Sequence, residues 1–200
     1  MPADATTLRI RPAVRADLPA VNAIQNHFVR TAETLYQDEP FTLNWRLAWF
    51  KGRGPRHPVL VAVDEAVYEA VQAPQAGVGQ VSARPRVVAW GSLSAFGGVC
   101  GYRHTAEVSL YVHPEERGRG VGSLLFAELI RRAEAMDYHT LISRVDAEHT
   151  ASLAINRKFG FAEAGRLKEA GRKFGRWRTV LYLQRMLRDE NHQPTDEARD

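Results

Sequence analysis

The residues with the most chemical potential lie between Glu107 and Ser123, in the run EVSLYVHPEERGRGVGS. Val108, Leu110 and Val112 alternate there with Glu107, Ser109 and Tyr111, the period of a strand with one apolar face, so Glu107 points away from that face. Pro114 stops ladder pairing, and a turn with three glycines and two arginines follows, Arg117-Gly118-Arg119-Gly120-Val121-Gly122-Ser123. Beyond it Val121, Leu124, Leu125, Leu129, Ala133 and Met136 form the stripe of an amphipathic helix. The glycines therefore stand at a helix N-terminus, where unpaired N–H groups and the macrodipole attract an anion such as a phosphate. Spacing excludes two common cradles. A P-loop ends in Gly-Lys-Ser/Thr, and Gly122-Ser123 has no lysine; a dinucleotide fingerprint runs G-x-G-x-x-G, and these glycines run G-x-G-x-G.

What remains, Arg117-x-x-Gly120-x-Gly122 between a strand and a helix, resembles the R/Q-x-x-G-x-G/A signature of the GNAT superfamily of N-acetyltransferases. Three blocks resemble its phosphinothricin acetyltransferase-like branch. They are Asn26-His27 with Glu39-Pro40, then Tyr102-Arg103-His104-Thr105-x-Glu107-x-Ser109-x-Tyr111-Val112-His113-Pro114, and finally Gly171-x-Lys173-x-Gly175-x-Trp177. The resemblance runs over residues 8 to 187 and implies an α/β (α+β) fold, a mixed, mostly antiparallel twisted sheet of about seven strands flanked by about four helices. It implies transfer of an acetyl group from acetyl-CoA, as co-substrate and without a metal, to a primary amine of a small, amino-acid-like acceptor.

The same resemblance distributes roles. Pantetheine lies beside Leu110, Tyr111 and Val112, and the pyrophosphate on Arg117, Gly118, Arg119, Gly120, Val121, Gly122 and Ser123. Glu107 takes the place of the general base, the alternative being an acid merely paired with a nearby arginine. His149, Ser152 and Asn156 stand where the branch usually reads N-x-x-S-x-x-x-H, on the CoA side; Asn156 can hydrogen-bond a thiolate but cannot protonate it. Tyr36, His104, Lys173 and Trp177 are candidates for the acceptor pocket, with His104 and His27 as proton relays. Relatives usually carry Lys or Arg where this chain has Gly97 and Val99, and Asp where Thr179 stands. The expected acceptor is therefore less anionic than phosphinothricin, or differently shaped. A homodimer is also implied, through apolar surface at Leu181, Leu183, Met186 and Leu187. Two alternatives are a protein or peptide acetyltransferase and a non-catalytic acetyl-CoA-binding module.

Composition is compatible with this. Two hundred residues, 44% hydrophobic, suit one domain, residues 1–187, followed by a charged tail, 188–200, expected to be disordered. The N-terminus has no apolar leader and no segment is long enough to span a membrane, so the expectation is a cytoplasmic protein with no membrane partner. The single cysteine, Cys100, excludes an internal disulfide, and the seven histidines show no H-x-x-x-H spacing. A net charge of +4 comes from arginines spread along the chain without aromatic interleaving, which suits a polyphosphate ligand better than a nucleic acid.

The elements that must position these residues follow from pattern. Strands are expected at Leu8–Ala13, Pro58–Val63, Val87–Leu93, Leu141–Val145, Phe161–Leu167 and Trp177–Met186. Helices are expected from Asp17, as N-cap, to near His27, after Thr42 up to Gly52, and from Thr150 to Phe159 with Gly160 as C-cap. Residues 65–85 show no clean period and read as an insertion, either a longer hairpin or a flap.

Overall fold

The computed structural model describes residues 8–72 and 81–192. Seven strands form one sheet in the order β1-β2-β3-β4-β5-β7-β6, where β1 is Leu8–Pro12, β2 Val59–Gln72, β3 Val81–Ala95, β4 Thr105–Val112, β5 Thr140–Asp146, β6 Ala162–Lys173 and β7 Arg176–Met186. Every neighbouring pair is antiparallel except β4 and β5. Helices α1 (Leu18–Thr31), α2 (Leu43–Lys51), α3 (Val121–Ala135) and α4 (Thr150–Lys158) cover the sheet. This is the mixed, mostly antiparallel architecture expected from the sequence.

Both faces of the sheet are covered, which is why β2 opens as an unbroken apolar run rather than an alternating one. On one face Leu125, Phe126, Leu129 and Ala133 of α3 pack on Leu60, Ala62, Leu93 and Val108, with Leu153 of α4 in the same core. On the other, Val21 and Ile24 of α1, with Trp49 and Phe50 of α2, pack on Val59, Val61, Val63 and Trp90. Leu125 and Leu129 are completely buried, so truncating either to Ala costs about 2–5 kcal/mol.

Several local expectations are corrected. Helix α1 runs to Thr31 rather than stopping near His27, because Val29 is still buried against the core and Ala32 N–H closes the last turn on Phe28. Asp17 does not cap α1 with its side chain; its carboxylate accepts both Arg11 Nη atoms (2.6 and 2.8 Å) and Val14 N–H (2.8 Å). Thr42 does cap α2, accepting Trp45 N–H at 3.1 Å. Leu181 and Leu183 are buried and Leu187 packs on the core, so the apolar surface of the last hairpin consists of Leu167, Phe174, Trp177 and Met186. Residues 65–72 and 81–85 extend β2 and β3 as one hairpin, with irregular register between Asp64 and Tyr68; the rest of the expected insertion, 73–80, lies outside the described residues. Of the expected tail, Arg188 donates to Glu134 O (2.6 Å) and His192 bonds Asp137 Oδ1 (2.8 Å), while 193–200 lie outside the described residues. No helix among the described residues is long and apolar enough to cross a membrane.

Candidate active site

The site begins where two strands part. β4 and β5 pair only from Thr105↔Thr140 to Glu107↔Ile142, although β4 continues to Val112 and β5 to Asp146. A cleft of about 570 Å³ opens between the diverging halves, lined by Val108–Val112, Ser143–Asp146, the turn after β4 and one side of α4. His113 N–H donates to Val88 O on β3. By strand alternation Tyr111 and Ser109 also face β3, so the N–H and C=O of Leu110 and Val112 aim into the cleft. An extended amide-bearing ligand could add there like a strand.

One end of the cleft is the glycine turn. Gly120 is the N-cap of α3 with φ +79°, and Gly118 shares that left-handed conformation. A side chain at either would meet no neighbour, so the conformation, not space, selects glycine. The first helical bond is Leu124 N–H to Gly120 O (3.1 Å), so the amides of Val121, Gly122 and Ser123 open toward the cleft. Arg117 lines it with its guanidinium over Phe28 (5.3 Å), and Lys158 reaches from α4 to donate to Ser123 Oγ (3.1 Å). Arg119 behaves otherwise. Its guanidinium spans Glu116 and Asp64 (3.1 Å), both buried, and Arg86 also binds Glu116 (3.2 Å). Arg119 thus ties the turn to the β2–β3 hairpin and offers the cleft no side-chain charge.

Along the α4 wall stand His149, Ser152 and Asn156. The His149 ring bonds Ser152 Oγ through Nδ1, and burial, reinforced by the Arg117 charge, pulls its pKa below the ordinary value. Asn156 is buried; its Nδ2 donates to Ser152 O (2.8 Å), while its Oδ1 has no protein partner.

At the apex, just below the lining residues, Glu107 is paired. Arg144 of β5 sets Nε at 2.8 Å and Nη2 at 2.7 Å from Glu107 Oε1. This is the arginine pairing weighed above as the alternative for Glu107. Burial pulls Arg144 down, but the Glu107 bond and charge outweigh it and its pKa lies above the ordinary value. Beside them Tyr111 stacks on Trp90 (4.7 Å) and accepts Gln25 Nε2 at 3.3 Å; burial pushes its phenol up to about 12. Gln25 in turn accepts Arg46, a buried cation with its guanidinium 4.7–5.3 Å from Phe41, Trp45, Trp49 and Trp90.

The far wall is an ionic latch. Arg178 grips both oxygens of Asp146 (2.8 and 2.7 Å) and reaches Glu33 (3.0 Å) and Glu148 (2.9 Å), while Tyr36 Oη donates to Asp146 (2.7 Å). Burial first, then the Asp146 hydrogen bond, raises the Tyr36 pKa. Gly171 lets this ring approach, since a Cβ there would sit 2.6 Å from Tyr36 Cδ2 and Cε2. Lys173, expected in the acceptor pocket, is buried and donates to Gln37 O. It holds the loop after α1 against the β6–β7 hairpin.

The other expected acceptor residues are not brought to this cleft. Trp177 is 60% exposed and lies beside Arg172, on the opposite side of β7 from Arg178. His104 turns toward Asp137 O (3.4 Å) at the far end of β4, and His27 is exposed on α1 against Phe28. Asn26 of the first matching block is a clamp, exchanging two 2.8 Å bonds with the Phe41 backbone. Sequence reasoning missed Arg144, Asp146 and Lys158 as cleft residues. The alternation of β5 and the cationic end of α4 were the available signals. Among the described residues no group of three or more His, Cys, Asp or Glu is arranged to hold a metal ion.

Comparison with known proteins fits this geometry. The model of the acetyltransferase (GNAT) family matches residues 21–161. An L-methionine sulfoximine/L-methionine sulfone acetyltransferase of Pseudomonas paraeruginosa is 32% identical over 176 residues, 88% of this chain and 92% of that protein. The L-amino acid N-acyltransferase MnaT of Escherichia coli is 30% identical over 188 residues, 94% of this chain and 98% of that protein. The crystal structure of a phosphinothricin acetyltransferase from Sinorhizobium meliloti in complex with AcCoA superimposes with a TM-score of 0.82 at 29% identity, covering 95% of this chain and 94% of that one.

Proposed function

This chain belongs to the GNAT acetyltransferase family, and on that premise we propose that it transfers the acetyl group of acetyl-CoA to the primary amine of a small, amino-acid-like acceptor. The observation that carries this reading is the parting of β4 and β5 beside a glycine-capped helix N-terminus. The residues present fit acetyl-CoA. Leu110 and Val112 present backbone groups to the amides of a pantetheine arm, and the α3 amides with Arg117 and Lys158 suit a pyrophosphate. Asn156 keeps a buried amide oxygen without a protein partner in the same wall. Bound there, acetyl-CoA supplies the activated acetyl group. Arg119 serves as a brace rather than a ligand.

Glu107 is the base in this reading. An amine attacks a thioester only when unprotonated, and Glu107 sits where β4 and β5 stop pairing, with a side chain 17% exposed. Its pairing with Arg144 requires the guanidinium to yield when an acceptor arrives. Asn156 can hold the departing sulfur by a hydrogen bond without protonating it. Glu107→Gln keeps shape and removes basicity, so kcat should fall roughly ten- to ten-thousand-fold at unchanged CoA affinity. Turnover equal to wild type would leave Glu107 a structural partner of Arg144.

We also read the enzyme as a cytoplasmic homodimer. Leu167, Phe174, Trp177 and Met186, all about half exposed on the last hairpin, supply apolar surface for a twofold contact.

A further inference from the structure

We propose that Arg144 reads the acceptor, and that the Glu107–Arg144 pair is a receptor for the zwitterionic head of a free α-amino acid, ammonium to Glu107 and carboxylate to Arg144. This rests on the transferase reading above and narrows its acceptor class.

Geometry motivates it. Arg144 places Nε and Nη2 on one oxygen of Glu107 instead of gripping both oxygens in a fork. Glu107 Oε2 and the Nη1 edge of Arg144 therefore stand outside the pair, one anionic site and one cationic site side by side. The Glu107 side chain is sheltered, at 17% exposure, while the Arg144 side chain is 52% exposed and Arg144 lines the cleft. A half-hydrated pair of this kind is weakly held and exchanges partners readily. The nearest acid and the neighbouring phenols leave the pair its exposed edge. Asp146, two residues along β5, is engaged on both oxygens by Arg178, and Tyr111 is kept neutral by burial. Tyr182, opposite Arg144 on β7, hydrogen-bonds the guanidinium as a neutral partner, which a substrate carboxylate can displace or share.

Chemistry then selects the ligand. The two charges of an α-amino acid are separated by a single carbon, so they match an anion and a cation already in contact. Polyamines and aminoglycosides would bring a second cation against Arg144, and peptide N-termini lack the adjacent carboxylate. The swap also serves the reaction. When Arg144 turns to the substrate carboxylate, both oxygens of Glu107 are left to the substrate ammonium. The ammonium gives one proton to Glu107, and the nitrogen lone pair forms the bond to the acetyl carbon. The carbon–sulfur bond breaks, the departing sulfur takes the second nitrogen proton, and Glu107 returns its proton to water.

The test compares L-methionine sulfone with its carboxamide by thiol release from acetyl-CoA, in wild type, Arg144→Ala, Arg144→Lys and Glu107→Gln, each checked for folding by circular dichroism. Wild type should favour the free acid by roughly ten- to a hundred-fold in kcat/KM, the value of one charge-assisted contact. The less basic amine of the carboxamide biases this comparison against the proposal. Arg144→Ala should abolish the preference, chiefly through KM for the acid, with Arg144→Lys restoring part of it. Equal losses on both substrates in Arg144→Ala, or an unchanged preference, would overturn the proposal. Glu107→Gln separates the two readings: it should lower kcat on both substrates while keeping the preference. Full turnover by that variant removes the base assignment, and turnover of neither substrate by wild type removes the proposal with its premise.

Discussion

Replacing Arg178 by Met should be a severe single change behind the Asp146 wall of the cleft. Arg178 is 2% exposed as a side chain and Asp146 1%, so the variant strands a buried carboxylate. Breaking one partner of such a pair costs about 3–5 kcal/mol. Glu33 and Glu148 are 39% and 64% exposed and rehydrate, adding at most about 1 kcal/mol each. For a domain of this size the Asp146 loss alone lowers Tm by roughly 6–20 °C. Acid supplies the discriminating assay. Burial pushes the Asp146 carboxyl up, but the Arg178 and Tyr36 bonds outweigh it, so its folded pKa lies below the ordinary value. Its stabilising contribution is thus present above the unfolded carboxyl pKa and is lost as pH falls through the folded one. In the variant the unpaired buried carboxyl is pushed up instead and folds best protonated. Thermal unfolding followed by calorimetry should show the gap between the two proteins narrowing from about pH 7 to about pH 4. A gap under about 1 kcal/mol at neutral pH, or one unchanged by acid, would refute the claim that Asp146 depends on Arg178.

Gly120→Val forces a branched side chain into φ +79°, a strain of roughly 1–3 kcal/mol, and should weaken acetyl-CoA binding about tenfold or more by calorimetry; unchanged affinity in a folded variant would remove the turn from the binding site. Gly171→Ala should displace the Tyr36 ring, since the new Cβ would lie 2.6 Å from it; KM for the acceptor should rise while CoA affinity holds, and an unchanged KM would detach Tyr36 from the acceptor wall. Light scattering at micromolar concentration should report a dimer that Trp177→Lys with Leu167→Lys converts to monomer, and a wild-type monomer would end that reading.

The parts of this molecule legible in the sequence are those written locally. The glycine turn declares itself because left-handed backbone and a bare helix N-terminus both select glycine within a few residues, and the alternation of β4 fixes which side chains share a face. Asp17 misled because an acid before a helix suggests a cap, while the competing partner, Arg11, lies on another element. Glu107 was legible as a candidate, but its pairing depends on where a parallel register ends, which no local pattern encodes. The positions that Lys173 and Trp177 take have a similar origin. Alternation along β7 puts Arg178 and Trp177 on opposite faces, and the direction Lys173 takes is decided by a carbonyl of the loop after α1, far away in the chain. Motif matching identifies such positions without saying whether they touch a substrate or hold the wall that does.

Thiol release from acetyl-CoA by the full chain, measured against free L-amino acids, phosphinothricin, polyamines, aminoglycosides and peptides with the product identified by mass, decides whether the chain acetylates free amino acids. Free amino acids should yield an acetylated amine, and phosphinothricin should turn over more slowly, because Gly97 and Val99 offer no cation to its second anionic group. Acetylation of peptides or polyamines in preference to every free amino acid, or binding of acetyl-CoA with no turnover of any amine, would contradict this expectation.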